Sequence, residues 1–454
     1  MNNQQKSHFC KLSIIFIIFF SYNLTTQDYT IKLLEKYSPF ADKIINYTLK
    51  DSSSFEKLAF MCDAFGHRLS GSDSLNKAII WLEQEMKKAG LENVHLENVM
   101  VPHWVRGNEF CKLIKPYQRH LSFISLGGSI KTPKEGITAP VLVVKSFEDL
   151  EKQKNNVQGK IVLFNYDYKN YGQAVQYRFH GAEYAAKYGA IASLIRSATP
   201  NGMNNPHTGS MGYNDSIPKI PHGALTVEDA ALIERIQKRG QTPVITLYME
   251  SDTLPDKLSY NLIGELKGSE APDDIVVIGG HSDSWDVGSG AHDDASGCIG
   301  TLQAVRILKE LGLRPKRTIR VVAWVNEENG MRGAWAYAKA HQNEKHVLAF
   351  EWDSGVFPPS EIRVSPDTLV HKLKIFEPLL SKIDSIKIIK GGFGVDIIPL
   401  TQAGVPTMSL NTEDHGQYMW YHHSPSDTPD KINPYEFNKC IATIALIIFI
   451  YADL

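Results

Sequence analysis

The chain has 454 residues, 43% of them hydrophobic and 22% charged, with a formal net charge of -2. That is enough apolar material for a large core divided over two or more domains. The near-neutral balance, with no run of Lys or Arg, leaves no electrostatic footprint for nucleic acid or an anionic membrane surface, so neither is an expected partner.

At the N-terminus, Lys6, His8 and Lys11 precede an apolar run from Leu12 to Phe20, and the polar residues Ser21, Tyr22 and Asn23 follow. The run falls short of the roughly 20 residues a membrane span needs. It has the shape of a secretory signal peptide over 1–21, followed by a propeptide over 22–54. A secreted or lysosomal/lumenal protein with no stable membrane anchor is therefore expected. Sequons at Asn23, Asn46 and Asn214 are compatible with that route. Beyond Cys10 in the signal, Cys62, Cys111, Cys298 and Cys440 show no CxxC spacing, which argues against a thiolate zinc site or a disulfide-dense scaffold.

Residues 55–111 read as the start of a catalytic domain. Two helical stretches flank the loop Gly66-His-Arg-Leu-Ser-Gly71-Ser-Asp73, and the second carries Ala78, Ile79, Leu82, Met86 and Ala89 at helical spacing. Asn93 to Pro102 alternates as a strand does. From 112 to 258 the pattern changes to an inserted α/β domain. It has short strands at Gly159–Phe164, Ala190–Ile195 and Pro243–Met249, and helices through Gly181–Tyr188 and Glu228–Arg239. The Gly/Asn/Pro/His stretch from Pro200 to Pro221 is expected to be a lid over the site or a partner surface. A spacer without contact to substrate is the bland alternative.

Residues 259–454 carry the chemistry. Asp274 to Gly280 is an apolar run that ends in glycines and delivers His281 at the carboxyl end of a strand, where open α/β sheets place their ligands. Asp283 is placed to take the second N–H of that imidazole and so fix its tautomer. Asp293 and Asp294 precede a helical pattern running from Cys298 to Leu311. The strand Arg317–Val325 ends in Asn326-Glu327-Glu328, and the strand from His346 to Trp352 ends in Asp353. Tyr421-His422-His423-Ser-Pro-Ser-Asp427-Thr428 lies ahead of a final helix with Asn433 as cap, Pro434 first and an almost wholly apolar stretch from Cys440 to Tyr451. That stretch is expected to be a core helix rather than a membrane span.

Any one acidic pair has a bland reading as a helix cap or solvated loop. His422-His423 reads equally well as an exposed pair, and His292 is expected to be exposed. Repeated placement at strand ends argues otherwise. His281, His423, Asp293, Glu328 and Asp353 are two imidazoles and three carboxylates, the set that a pair of divalent zinc ions needs when one carboxylate bridges them. Hydrolysis at such a centre is the chemistry the residues point to.

From Phe55 onward the chain resembles the M28 zinc peptidases. The resemblance is carried by His67-Arg-Leu-Ser-Gly-Ser72, Pro102-His-Trp104, Gly280-His-Ser-Asp-Ser-Trp-Asp-Val-Gly288, Asp293-Asp294, Leu311 to Arg317, Glu327-Glu328, Gln402 to Pro406 and His422-His423-Ser424. It implies an α/β fold: a mixed-sheet zinc-peptidase catalytic domain flanked by helices, with an inserted protease-associated-like domain. It further implies two Zn2+ per chain, one held by His281 and Asp353, the other by Glu328 and His423, with Asp293 bridging. Glu327 matches the general base and Asp283 the orienting residue. His423 rather than His422 follows from the family's His-Ser/Thr-x-x-Asp-Thr pattern. The implied activity is hydrolysis of short peptides, unsubstituted dipeptides above all, by metal-activated water, in a homodimer. Alternatives are an aminopeptidase, a carboxypeptidase for N-blocked acidic dipeptides using Arg332 or Arg363, and a single-zinc glutaminyl cyclase. The sequence departs from the family at Asn326, at the Ser424-Pro-Ser run and at Trp352, which is expected to narrow the pocket.

Overall fold

The apolar runs flagged in the second half become neighbours in one sheet of the computed structural model, which describes residues 28–454. The strands of that sheet are β1 (Glu92–Val105), β2 (Asp252–Leu266), β3 (Ala271–His281), β4 (Arg317–Trp324), β5 (Lys345–Glu351), β6 (Pro359–Ser365), β7 (Lys387–Lys390) and β8 (Thr407–Thr412). They lie in the order β1-β2-β4-β3-β5-β8-β6-β7. β4, β3, β5 and β8 run parallel, while β1 pairs antiparallel with β2, β2 with β4, and β6 with β8. Central parallel strands are covered on both faces, which is why they read as continuous apolar runs. Val276 and Ile278 of β3 enter the large core on one face, and Ile275 and Val277 enter the smaller core on the other.

The helices Ser296–Glu310 and Pro434–Asp453 cover the first face. The latter is long and apolar enough to cross a membrane, but 78% of its apolar window is buried inside the protein. It is the core helix expected from the sequence, started by Asn433, whose Oδ1 accepts from Tyr435 N at 2.9 Å. Of the expected propeptide over 22–54, residues 28–54 are described. Residues 28–48 form a helix whose Tyr37, Ala41 and Ile44 are fully buried in this same core, and Ser53 already opens the helix Ser53–Phe65. The helix 28–48 thus packs into the main core beside the first sheet. The expected signal peptide over 1–21 lies outside the described residues.

The second sheet is also eight-stranded, with Ile137–Val144, Ile161–Phe164, Ala192–Arg196 and His222–Leu225 parallel at its centre. It has its own cores beneath the helices Tyr171–Ala186 and Val227–Lys238. Glu109–Lys115 belongs to this sheet and Asp252–Leu266 to the first. The chain therefore changes sheets between 105 and 109 and again between 249 and 252, not at 111/112 and 258/259. The expected helix at 181–188 is the tail of a longer one that Asn170 opens by accepting from Gln173 N at 2.9 Å. Its front half turns Tyr171 and Arg178 toward the metal-type residues, while Ala174 and Tyr177 join the apolar core. All four described cysteines are free and buried.

Candidate metal centre

Because β3, β4, β5 and β8 are parallel, the loops that leave their carboxyl ends converge on one edge. His281 ends β3 opposite Trp324 of β4, and Gly279 pairs with Glu351 of β5, so Glu327, Glu328 and Asp353 start from adjacent positions. His422 and His423 arrive on the loop beyond β8.

Asp293 sits at the middle. Its Oδ1 lies 3.1 Å from His281 Nε2, and its Oδ2 lies 3.4 Å from His423 Nε2 and 3.5 Å from His422 Nε2. Asp353 Oδ1 stands 3.9 Å from His281 Nε2, and Glu328 Oε2 stands 3.0 Å from His423 Nε2. Two groups of metal-type atoms result, His281-Asp293-Asp353 and Asp293-His422-His423, and they share Asp293. His281 Nε2 and Asp353 Oδ1 are buried without a hydrogen-bond partner, although Asp293 is close to the former. Buried polar atoms left open in this way and aimed at one point fit a bound cation. The donor set of imidazole nitrogens and carboxylate oxygens suits zinc.

The electrostatics agree. Burial and the charges of Asp293 hold the Glu328 and Asp353 carboxyls well above their ordinary value. Burial, with Asp293 and Asp283 adding to it, pushes Glu327 up to about 7. Burial opposes charge on His281, yet the surrounding Asp293, Glu327 and Asp353 raise it well above the usual imidazole value. Burial and His422 hold His423 well below it. Several acids crowded against few cations are a cluster short of positive charge.

The supporting contacts correct one sequence-based role. His281 Nδ1 meets the backbone carbonyl of Asp283 at 3.0 Å, while the carboxylate is 3.8 Å away. That carboxylate instead accepts from the backbone N–H of Asn326, Glu327 and Glu328 at 2.7, 3.2 and 3.3 Å and from Ser70 Oγ at 3.2 Å. Asp283 thus orients the imidazole through its main chain and the glutamate loop through its side chain. Asn326 is in the left-handed region at φ 69, a conformation asparagine tolerates, and so is His423 at φ 57. Asp427 accepts from the N–H groups of Ala291, His292 and Asp293 at 3.0, 2.7 and 3.1 Å. Asp294 accepts from His281 N at 3.1 Å and from Gly297 N at 2.7 Å, joining β3 to the start of the helix Ser296–Glu310.

Arg68, fully buried, explains the His67-to-Ser72 motif. Its guanidinium donates to the carbonyls of Ser282, Ser289 and Gly290 at 3.0, 2.6 and 3.1 Å, fixing the loop that follows His281. Trp352, expected to narrow the pocket, lies in the core instead. It is buried against Phe437, with ring centroids 6.0 Å apart, and over Gly300, where a Cβ would come within 2.3 Å of its ring. His292, expected to be exposed, is buried and stacks between Phe357 and Tyr421. A cavity of about 280 Å³ opens beside Asp353, lined by Ser354, Arg363, Phe393, Ser409 and Asn411.

Sequence reasoning missed the contribution of the inserted sheet. Arg178 Nη1 donates to Tyr171 OH at 2.8 Å and stands 3.5 Å from His423 Nδ1. The Tyr171 ring meets the His422 ring edge-on at 5.0 Å. The Pro200–Pro221 stretch, expected to be a lid or a partner surface, is docked through its middle. Thr208 N donates to the His423 carbonyl at 2.9 Å and Ser210 Oγ to the Glu328 carbonyl at 2.6 Å. No periodicity or motif marks these residues, since their partners at the site lie more than 100 positions away and, for Thr208 and Ser210, are backbone carbonyls.

Residues 261–448 match the model of Peptidase family M28. The chain is 42% identical to carboxypeptidase Q of Bos taurus across 92% of this chain and 90% of that protein. It is 42% identical to carboxypeptidase Q of Homo sapiens across 91% and 89%. Among solved structures, a Peptidase M28 precursor from Shewanella amazonensis superposes with a TM-score of 0.87 at 33% identity, covering 92% of this chain and 97% of that one. BSAP, a zinc aminopeptidase from Bacillus subtilis, shares the fold with a TM-score of 0.65 at 20% identity, covering 88% and 94%.

Proposed function

The chain belongs to peptidase family M28 and is a metallopeptidase, and from that premise we propose that it is a dinuclear zinc exopeptidase cleaving short peptides, unsubstituted dipeptides above all. The observation that carries this reading is Asp293, whose two oxygens face two separate groups of metal-type atoms. His281 and Asp353 would hold one zinc, Glu328 and His423 the other, and Asp293 both. His423 is preferred to His422 because its Nε2 lies 3.0 Å from Glu328 Oε2. When bound, two zinc ions supply Lewis-acid polarisation of the scissile carbonyl and a lowered pKa for water.

The protein's own part is proton handling and placement. Glu327, with one oxygen 4.0 Å from His281 Nε2 and a side chain 16% exposed, borders the centre without being a ligand in this assignment. It would take the proton of the attacking water and pass it to the leaving amine. Asp283 holds the N–H groups of Glu327 and Glu328 and so aims both side chains. The cavity beside Asp353 would receive one substrate residue.

A carboxypeptidase for N-blocked acidic dipeptides is less well supported. Arg332 is turned away, donating to the Met100 carbonyl at 3.0 Å and pairing with Asp256 at 2.5 Å. Arg363 lines the cavity but is already paired with Glu361 at 2.8 Å. An aminopeptidase would use the same centre, and a glutaminyl cyclase would need only one metal. Passage through the secretory route to a secreted or lysosomal/lumenal site, and assembly as a homodimer, are part of this reading. The signal-like residues 1–21 support the route, and the homodimer rests on the family resemblance alone. Metal analysis of the purified protein with a panel of free and N-blocked dipeptides tests it. Two zinc per chain with cleavage of free dipeptides is expected; one zinc, or cleavage confined to blocked acidic dipeptides, contradicts it.

A further inference from the structure

We propose that the segment 205–210 of the inserted sheet sets the affinity of the metal position formed by Glu328 and His423 and leaves the His281–Asp353 position untouched. This rests on the dinuclear reading above. The segment reaches both ligand-bearing loops. Asn205 Nδ2 donates to the Trp420 carbonyl at 3.1 Å and to Ser424 Oγ at 2.7 Å, on either side of the two histidines. Thr208 N donates to the carbonyl of His423 itself, and Ser210 Oγ to that of Glu328, at 2.9 and 2.6 Å. The segment is in turn held by its own sheet. Arg178 Nε donates to the Ser210 carbonyl at 3.2 Å, and Thr208 Oγ1 donates to the Ser125 carbonyl at 3.0 Å.

The other position has no such tie. His281 is fixed by the Asp283 carbonyl, by Asp294 and, through its following loop, by Arg68. Asp353 follows Trp352, whose N–H donates to the Gly279 carbonyl at 3.1 Å, and precedes Ser354, whose Oγ donates to the Leu410 carbonyl at 2.9 Å. Every one of these partners lies outside 109–250. A ligand holds a metal only if its side chain stays within about 0.5 Å of the productive position. Fixing its carbonyl fixes the Cα from which that side chain projects. His423 needs this most, because its left-handed backbone must be imposed by its surroundings.

The test strips metal from full-length wild type, Ser210→Ala, Asn205→Ala/Ser210→Ala and Ser210→Thr, then titrates zinc against a competing chelator. Zinc per chain is counted by mass spectrometry, and far-UV melting curves of the metal-free proteins check folding. Wild type is expected to bind two ions tightly. The alanine variants should keep one at wild-type affinity and bind the other about 10–100-fold more weakly, the usual cost of losing an outer partner of a ligand. Ser210→Thr, which keeps the hydroxyl, should restore it. Thr199→Val removes a different bond from the insert, Thr199 Oγ1 to the Met419 carbonyl at 2.8 Å, and should leave both positions unchanged. Equal weakening of both positions, no weakening of either, or an equal effect from Thr199→Val overturns the proposal. A wild-type protein that takes up a single ion overturns the dinuclear reading, and the proposal with it, before any variant is compared.

Discussion

The half of the centre built on His281 and Asp353 is held by the catalytic sheet alone, through Asp283, Asp294 and Arg68. The half built on Glu328 and His423 leans on a second sheet through Thr208, Ser210 and Arg178. The difference teaches that proposed ligands near a strand end, such as His281 and Asp353, can be held by their own sheet, whereas Glu328 is held from both sheets, through Asp283 and Ser210. A ligand on a long loop after a strand, as His423 is after Thr412, has to borrow support from elsewhere.

The largest expected effect leaves both halves loaded. Glu327→Gln removes the proton carrier and no ligand, so turnover should fall by about 10²–10⁴-fold or more while zinc content stays at the wild-type level. A variant keeping above about a tenth of the wild-type rate would exclude Glu327 as the base. Next, the shared carboxylate should join the halves: Asp293→Ala should release metal from both positions, whereas His423→Ala should release it from one. Mass spectrometry of the two purified variants decides this, and equal residual zinc would mean that Asp293 does not bridge.

A mutation on the self-supported side sharpens the comparison from the opposite direction. Arg68→Met leaves the carbonyls of Ser282, Ser289 and Gly290 without their buried donor. It should destabilise the protein by about 3 kcal/mol, read from the denaturant midpoint, and loosen the His281 position first. Wild-type stability in this variant would show that the loop after His281 needs no clamp.

The smallest effect is a pH dependence shared by both halves. In the metal-free protein Glu327 is raised from 4.5 to about 7, so over that window the folded state holds more protons than the unfolded one. The stability of the metal-free protein therefore falls as pH rises through the window, and zinc, which replaces protons in such a cluster, offsets the loss. The zinc-induced rise in Tm should accordingly grow between pH 4.5 and 7, by about 1 °C for each kcal/mol gained. A constant zinc-induced rise across that range would mean the cluster is already deprotonated without metal.

Much of this was legible in the sequence, because parallel buried strands announce themselves as apolar runs and their carboxyl ends are where ligands gather. His281, Glu327, Glu328 and Asp353 could be placed at one edge of a sheet from that alone. The core character of 434–453 followed from an apolar run with a capped start. The misreadings share a cause. Trp352, His292 and the helix from Tyr171 were judged from their neighbours in sequence, while Phe437, Tyr421 and His422, their partners in space, lie far along the chain. The packing of 28–48 was hidden in the same way, since Tyr37 on its apolar face meets Phe376 and Phe449 far along the chain.

The sequence by itself determined the family and the α/β order of strands, through local pattern and motif spacing that depend on neighbours within a few turns of chain. Tertiary structure alone decided that Asp283 reaches His281 through its carbonyl and that a segment from the second sheet grips the carbonyls of His423 and Glu328. Those contacts are made largely by backbone groups, which every residue carries, so no side-chain pattern in the sequence can record them.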